Sequence, residues 1–347
     1  MTRKKVLLLF GGESTEHAVS RMSARNVAQA LDEEKFEVTY AFIDEQGLWW
    51  LVGSVDAQEG AERLVPVLGS GTFETQTGSV IGPDVILPIL HGRNGEDGAV
   101  QALAQLLHIP IVGCHMASSA AAMNKVFTKQ IVQSAGIPVV PYTIHRSTDE
   151  YPDYEKLTAT LGDTLFVKPA NAGSSVGVNK ATSEEELKVA LDVAFLHDEI
   201  ALIEMAIDAR ELEVAVLGNH PNVEASVVGE IQPEGDFYSY DSKYSTGTQS
   251  TAVIPALVSE EVSEKLQRYA VEVFELLQGN GLARVDFFVD RSNEDMVYLN
   301  EVNTIPGFTD ISMYPKLWEA AGMSYSQLIE RLIELALEDK MKTREMK

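Results

Sequence analysis

The sequence predicts an α/β protein, with a parallel-sheet N-terminal part and an α+β remainder. Three observations carry this. Short apolar runs, some closed by glycine, alternate with helically spaced apolar residues in the first part of the chain. A strand, a Gly/Ser turn and a helix opened by a capping box follow in the middle. Near the C-terminus, two alternating segments are joined by a turn. Strands that alternate with helices imply a parallel sheet with right-handed crossovers, and ligands then sit at the carboxyl ends of its strands.

Lys5–Phe10 (KVLLLF) reads as a buried strand closed by Gly11-Gly12. Val19, Met22, Val27, Ala30 and Leu31 recur at helical spacing, and Val38–Ile43 returns as a strand. Val85–Leu90 (VILPIL) is another buried strand, followed by a helix marked by Val100, Leu103 and Leu107. Ser118-Ser119 precede a helix with Met123, Val126, Phe127 and Ile131 on one face, closed by Gly136 with Pro138 beyond. Leu165–Lys168 is a strand that runs into the small-residue turn Pro169–Gly177. Ser183 and Glu186 form a capping box, Ile200–Glu204 and Leu212–Leu217 are strands, and Val262, Leu266 and Val273 mark a helix. Glu234–Ser250 contains four aromatics and no aliphatic residue, the pattern of a functional loop. Leu282–Asp290 alternates, with Ala283, Val285, Phe287 and Val289 on one face and Arg284, Asp286, Phe288 and Asp290 on the other; Met296–Glu301 is its partner. Ser324 and Gln327 cap a last helix carrying Leu328, Leu332 and Leu335.

The chain has 347 residues, 52 Asp+Glu against 27 Lys+Arg, and a net charge of −25. Such a chain offers no basic stripe for nucleic acid. No apolar run approaches the length of a membrane span, and the short run after Met1–Lys5 reads as a first strand rather than a signal peptide, so a cytoplasmic protein is expected. The single cysteine, Cys114, excludes an intramolecular disulfide and a thiolate metal cage. The seven histidines lack zinc-site spacing, and neither a serine-hydrolase elbow nor a GxGxxG fingerprint is present.

The strongest chemical signal is Asp286 facing Asn300 or Glu301 across a hairpin, with Asn303 two residues beyond Glu301. Two carboxylates and an amide oxygen on one side suit Mg²⁺ shared with phosphate oxygens. Lone strand carboxylates are usually only solvated, but here Arg284 and the Asn303–Gly307 run lie alongside. Lys168 followed by Asn171–Val178, rich in Gly and Ser, suits phosphate binding, although it lacks P-loop spacing. Glu204 and Glu211 flank Met205–Arg210, which could offer backbone groups to an adenine edge and a carboxylate to ribose. Spacing alone leaves Lys125 a solvated lysine. Glu16-His17 and the His91–Gly98 loop occupy the carboxyl edge of the first sheet.

Taken in order, these motifs resemble the D-alanine–D-alanine ligases of the ATP-grasp superfamily over about residues 5–315: Gly11–Ser20, His91–Gly98, Met123-Asn124-Lys125, Lys168-Pro169 with Gly173–Val178, Arg284-Val285-Asp286 and Asn300–Thr309. The resemblance implies an ATP-grasp fold preceded by an N-terminal parallel-sheet domain. It divides the chain into a substrate-binding domain at 1–117, a central ATP-grasp subdomain at 118–208 and a C-terminal subdomain at 209–347. It implies that Lys125, Lys168, Ser174, Ser175 and Lys243 hold ATP phosphates, and that Glu204, Met205, Ile207 and Glu211 bind adenosine. Asp286, Glu301 and Asn303 would hold two Mg²⁺ or Mn²⁺, with a monovalent cation as a further allowance. Glu16 would take the first D-alanine's ammonium, His91 would contact its carboxylate side, and Arg284 would stabilise the oxyanion. Ser312 and Met313 would meet the second D-alanine, and Ser175 and Tyr244 would link to Glu16 and close the site. A homodimer is also implied. Ala18, Ala209 and Met313 depart from the common pattern.

The implied reaction makes D-alanyl-D-alanine for peptidoglycan through a D-alanyl phosphate. Its rivals are another ATP-grasp carboxylate–amine or D-alanine–D-lactate ligase, a nucleotide-binding regulator without turnover, and an NAD oxidoreductase.

Overall fold

The computed structural model describes residues 2–57, 61–232 and 251–345. Three sheets organise them. The first contains β1 (Lys4–Gly11), β2 (Phe36–Ile43), β3 (Trp49–Val52), β4 (Glu62–Val67), β5 (Thr72–Thr75), β6 (Val80–Ile81) and β7 (Val85–Ile89), in the order β6-β5-β4-β3-β2-β1-β7. β1 runs parallel to β2 and β7, as the alternation predicts. β3 to β6 instead add antiparallel strands at one side, so the sheet is mixed rather than parallel throughout. These strands are short, and Pro66 interrupts one of them, so no clear period marks them in the sequence.

The continuous apolar run of β1 is explained by burial on both faces. Val6, Leu8 and Phe10 pack with Ala24 and Val27 of α1 (His17–Ala30), and with Leu328, Leu332 and Leu335 of α9 (Tyr325–Glu345). Leu7 and Leu9 pack on the other side with Val100, Ala104 and Leu107 of α2 (Ala99–Leu107). The C-terminal helix therefore completes the core of the N-terminal sheet.

The sequence suggests one helix from Ser119 to Gly136, but there are two: α3 (Met116–Met123) and α4 (Lys125–Ser134). Asn124 separates them in an extended conformation, and its side chain accepts from the Phe127 N–H as an N-cap. The break turns Phe127 outward, 55% exposed, while Val126 stays buried. It also puts Lys125 in the first turn of a new helix.

The second sheet is antiparallel, in the order β10-β9-β11-β8: β10 (Asn179–Ala181), β9 (Leu165–Pro169), β11 (Ile200–Met205) and β8 (Tyr142–Arg146). One face, with Val167, Ala201 and Ile203, packs on α6 (Glu184–Phe195); α5 (Tyr154–Leu161) closes that core through Leu161. Ser183 caps α6, but the Glu186 carboxylate accepts from the Thr182 N–H and hydroxyl. The other face, with Ala170 and Leu202, meets Val126 of α4.

The third sheet has the order β14-β13-β12-β15-β16: β14 (Thr251–Val253), β13 (Asn222–Gln232), β12 (Ala209–Asn219), β15 (Gly281–Asp290) and β16 (Val297–Asn303). The β15 face predicted to be apolar is buried with α7 (Glu260–Leu276) through Val262, Leu266 and Val273. The opposite face of the sheet packs on α8 (Met313–Ala320), where Tyr314 donates to the Val216 carbonyl at 3.0 Å. Among the described residues, no helix is long and apolar enough to cross a membrane.

Candidate active site

The β15/β16 pair shows how a local pattern becomes a site. Asp286 pairs with Glu301 and Arg284 with Asn303, while Phe287 pairs with Leu299. The bulge between Asp286 and Phe287 leaves Asn300 as the extra residue, and it decides which side chain faces Asp286. Arg284 donates to both Asp286 oxygens at 2.7 Å, and Asn303 donates to Asp286 Oδ2 at 2.9 Å. Glu213 lies 3.1 Å from Arg284. Burial works against the guanidinium's charge, but Asp286 and Glu213 outweigh it and raise its pKa further. Among the described residues, no cluster of three or more His, Cys, Asp or Glu gathers for a metal. The expected donor set is two carboxylates and an amide. Asp286 and Glu301 are paired across the strands, and Asn303 lies two residues beyond Glu301, so the set fits a hard divalent cation.

The first-sheet loops build a second cluster. Glu16, 8% exposed, stands at the start of α1, and its N–H donates to Ser14 Oγ. Ser14 in turn donates to the His91 carbonyl at 2.6 Å. Gly92 sits at φ +71°, a backbone conformation that favours glycine, and a β-carbon there would stand 2.9 Å from Glu16 Oε2 and push the carboxylate aside. The Ser174 hydroxyl donates to Glu16 Oε1 at 2.5 Å. Ser174, the neighbour of the expected Ser175, makes this contact. Both serines have positive φ, +51° and +60°, a tight turn that brings Ser174 to Glu16.

His91 is buried, and both its ring nitrogens are engaged. Nδ1 lies 3.0 Å from the Ile305 carbonyl, which can only accept; Nε2 therefore accepts from Ser23 Oγ at 3.1 Å. Burial pulls the His91 pKa down, consistent with this neutral tautomer. Ser23 also accepts from the Phe308 N–H. His91 thus holds the Ile305–Phe308 turn, and in this tautomer Nε2 has no proton to offer a substrate carboxylate, so the expected contact would need a change of tautomer as well as displacement of Ser23. Beneath the loop, Glu96 accepts from the Gly92 N–H, and burial followed by the Glu16 charge raises its pKa to about 8.

In that turn, the Thr309 N–H and hydroxyl lie 2.9 and 2.8 Å from Ser312 Oγ. The Met313 side chain is in the core, so any substrate contact it makes falls to its backbone.

The third cluster lies on the face of the central sheet that meets α4. Lys168 pairs with Leu202, two residues before Glu204, so Lys168 and Glu204 share that face. Glu204 Oε2 lies 2.8 Å from Lys168, and Oε1 lies 2.9 Å from Lys129 of α4. Burial opposes the carboxylate's charge, but the two ammoniums bring its pKa down to about 2. Burial also works against Lys168, yet Glu204 outweighs it and the pKa rises; for Lys129 burial prevails and the pKa falls. Lys129 was not among the residues the sequence singled out. Its position one turn after Lys125 was the available signal.

The Lys125 ammonium donates to the Ala172 carbonyl, tying α4 to the Gly/Ser turn. Met205, at the end of β11, donates its N–H to Pro141, and Ile207 follows in the connection to β12. Glu211 pairs with Phe288 on β15. Lys243 and Tyr244, with the rest of the expected Glu234–Ser250 lid, lie outside the described residues.

Comparison with known proteins settles the family. The profile described as D-ala D-ala ligase C-terminus matches residues 131–334, and that described as D-ala D-ala ligase N-terminus matches residues 5–114. The chain belongs to the D-alanine–D-alanine ligase family. Its relatives include a D-alanine–D-alanine ligase of Thermoanaerobacter sp. (strain X514), 46% identical with 97% of this chain and 98% of the relative covered. D-alanine–D-alanine ligase A of Escherichia coli (strain K12) is 42% identical, with 97% of both chains covered. Among solved structures, the D-alanine–D-alanine ligase of Coxiella burnetii matches with a TM-score of 0.90 at 34% identity, covering 100% of this chain and 97% of that one. VanG D-Ala:D-Ser ligase of Enterococcus faecalis matches at 0.88 and 34% identity, covering 96% of this chain and all of that one. The fold is therefore the ATP-grasp fold with its N-terminal domain, and the family uses ATP and a divalent metal.

Proposed function

We propose that this chain joins two D-alanines into D-alanyl-D-alanine with ATP, supplying a precursor of peptidoglycan. The observation that carries this is the convergence of Glu16, Ser174 and the His91–Ile305 contact from loops of all three sheets, beside the Asp286–Glu301 pair. Three regions share the work: 1–117 for the first amino acid, 118–208 for the nucleotide, and 209–347 for the metal and the oxyanion.

Lys125, Lys168 and the Ser174-Ser175 turn, with Lys243, bind the triphosphate. Met205, Ile207 and Glu211 line the adenosine end, where Glu204 fixes Lys168. Glu16, held by Ser174, takes the ammonium of the first D-alanine, whose carboxylate oxygen attacks the γ-phosphorus. The bond to the bridging oxygen breaks, ADP leaves and a D-alanyl phosphate results. The second D-alanine, with its carboxylate at Ser312 and the start of α8, attacks the acyl carbon through its amine. Arg284 neutralises the oxyanion; collapse expels phosphate, which takes up the proton the amine gives up. Asp286, Glu301 and Asn303 would hold two Mg²⁺ or Mn²⁺, which supply charge neutralisation around the phosphates. Positioning and exclusion of water carry the rest of the rate, since the acyl phosphate hydrolyses readily. Tyr244 belongs to the proposed closure with Ser175 over Glu16. A cytoplasmic homodimer, with a monovalent cation as a further allowance, completes the reading.

VanG carries a D-Ala:D-Ser name on a closely similar fold, so the choice of second substrate needs its own test. ADP release with ATP and Mg²⁺ is measured with D-alanine and L-alanine, then with D-serine or D-lactate added to D-alanine. D-alanine alone is expected to support turnover and to give the dipeptide as product. Equal release with L-alanine would overturn the substrate assignment.

A further inference from the structure

The central sheet buries more positive charge than the contacts within it require. Lys129 has a side chain only 2% exposed, and its ammonium meets one oxygen of Glu204 and the face of Tyr142, 5.4 Å to the ring centroid. Among the described residues, neither Lys129 Nζ nor Glu204 Oε1 has a further polar partner, whereas Glu204 Oε2 meets Lys168. Two ammoniums thus share one carboxylate in a buried space. For stability alone, a buried ion cluster is commonly matched or bettered by apolar side chains of similar volume, so its stability does not account for it.

We propose that Lys129 is a positioning residue for the nucleotide. By occupying Oε1, it leaves Glu204 only Oε2 with which to hold Lys168. The triad then keeps one formal positive charge in excess, and Lys168 is held from one side with its remaining donors turned to a nucleotide's phosphates. Without Lys129, both oxygens of Glu204 would converge on Lys168, draw it back from the cleft and cancel its charge. Lys129 itself touches no phosphate and acts through Glu204. This rests on the nucleotide reading of the site given above.

The test is calorimetric titration of the full chain with ADP and Mg²⁺, together with D-alanine kinetics at saturating ATP. Lys129→Met is expected to weaken ADP by about tenfold or more, while the KM for D-alanine moves less than twofold. In a Glu204→Gln background the same change should alter ADP affinity less than twofold, because the intermediary is already lost. An equal loss in both backgrounds, or a single variant within twofold of wild type, overturns the proposal. Circular dichroism and thermal melting check folding. If Lys129→Met does not fold, Lys129→Gln keeps a donor without the charge and must show the same loss; wild-type affinity in it overturns the proposal. Failure of both variants to fold makes Lys129 a stability residue and overturns it as well. Wild-type protein that does not bind ADP overturns the nucleotide reading itself, a result separate from the behaviour of the variants.

Discussion

Ser174→Ala removes the hydroxyl that donates to Glu16 at 2.5 Å and keeps everything else the turn needs. The backbone stays at φ +51°, a conformation alanine tolerates no worse than serine, so the turn is expected to persist. Glu16 is 8% exposed, and its carboxylate loses one charge-assisted donor that water replaces poorly. Hydrogen bonds to charged groups contribute about 1.5–3 kcal/mol, which corresponds to about 10- to 150-fold in kcat/KM for the first D-alanine. The assay is ADP release at saturating ATP and Mg²⁺ with D-alanine varied through the low range where the first site fills, alongside thermal melting. Ser175→Ala is the comparator, because it alters the same turn without touching this bond. Ser174→Ala within about threefold of wild type, or a large loss confined to Ser175→Ala, would show that the Ser174–Glu16 bond does not order the first site.

Gly307→Ala would place a β-carbon 2.6 Å from Ser312 Oγ, so Ser312 must move; the KM for the second D-alanine is expected to rise about tenfold, and an unchanged KM refutes the Ser312 role. Glu301→Gln keeps size and removes one anionic donor, so turnover should nearly vanish with an unchanged circular dichroism spectrum; most activity retained at saturating Mg²⁺ would exclude Glu301 as a ligand. Glu96 titrates at about 8 in the fold, against ~4.3 for a free glutamate, so the folded state holds a proton that the unfolded chain has released across that window. Stability tied to this proton is therefore full below ~4.3 and is lost as pH rises towards 8. Glu96→Gln removes the dependence, so its melting temperature should gain on wild type between pH 5 and about 9, and parallel curves would refute the assignment.

Strand periodicity is local, and it alone placed Arg284 and Asp286 on the face opposite Val285 and Phe287, with Glu301 and Asn303 sharing one face of the partner strand. The burial of β1 on two sides, the helix caps at Ser183 and Ser324, and the order of the chemical motifs were equally legible, because each depends on residues a few positions apart. Other features depend on contacts between distant segments. Asp286 faces Glu301 rather than Asn300 because a bulge slips the register, and no spacing rule announces it. Ser174 reaches Glu16 because the turn presents its hydroxyl to a carboxylate 158 residues away. The strands β3, β5 and β6 are too short to declare a period and Pro66 interrupts β4; β3 adds to the edge of β2, and each later strand adds to the one before it. Lys129 looked like one more lysine on a helix. Packing α4 on the central sheet put its ammonium against Glu204 and away from water, and a charge takes its meaning from the surroundings into which the whole chain folds it.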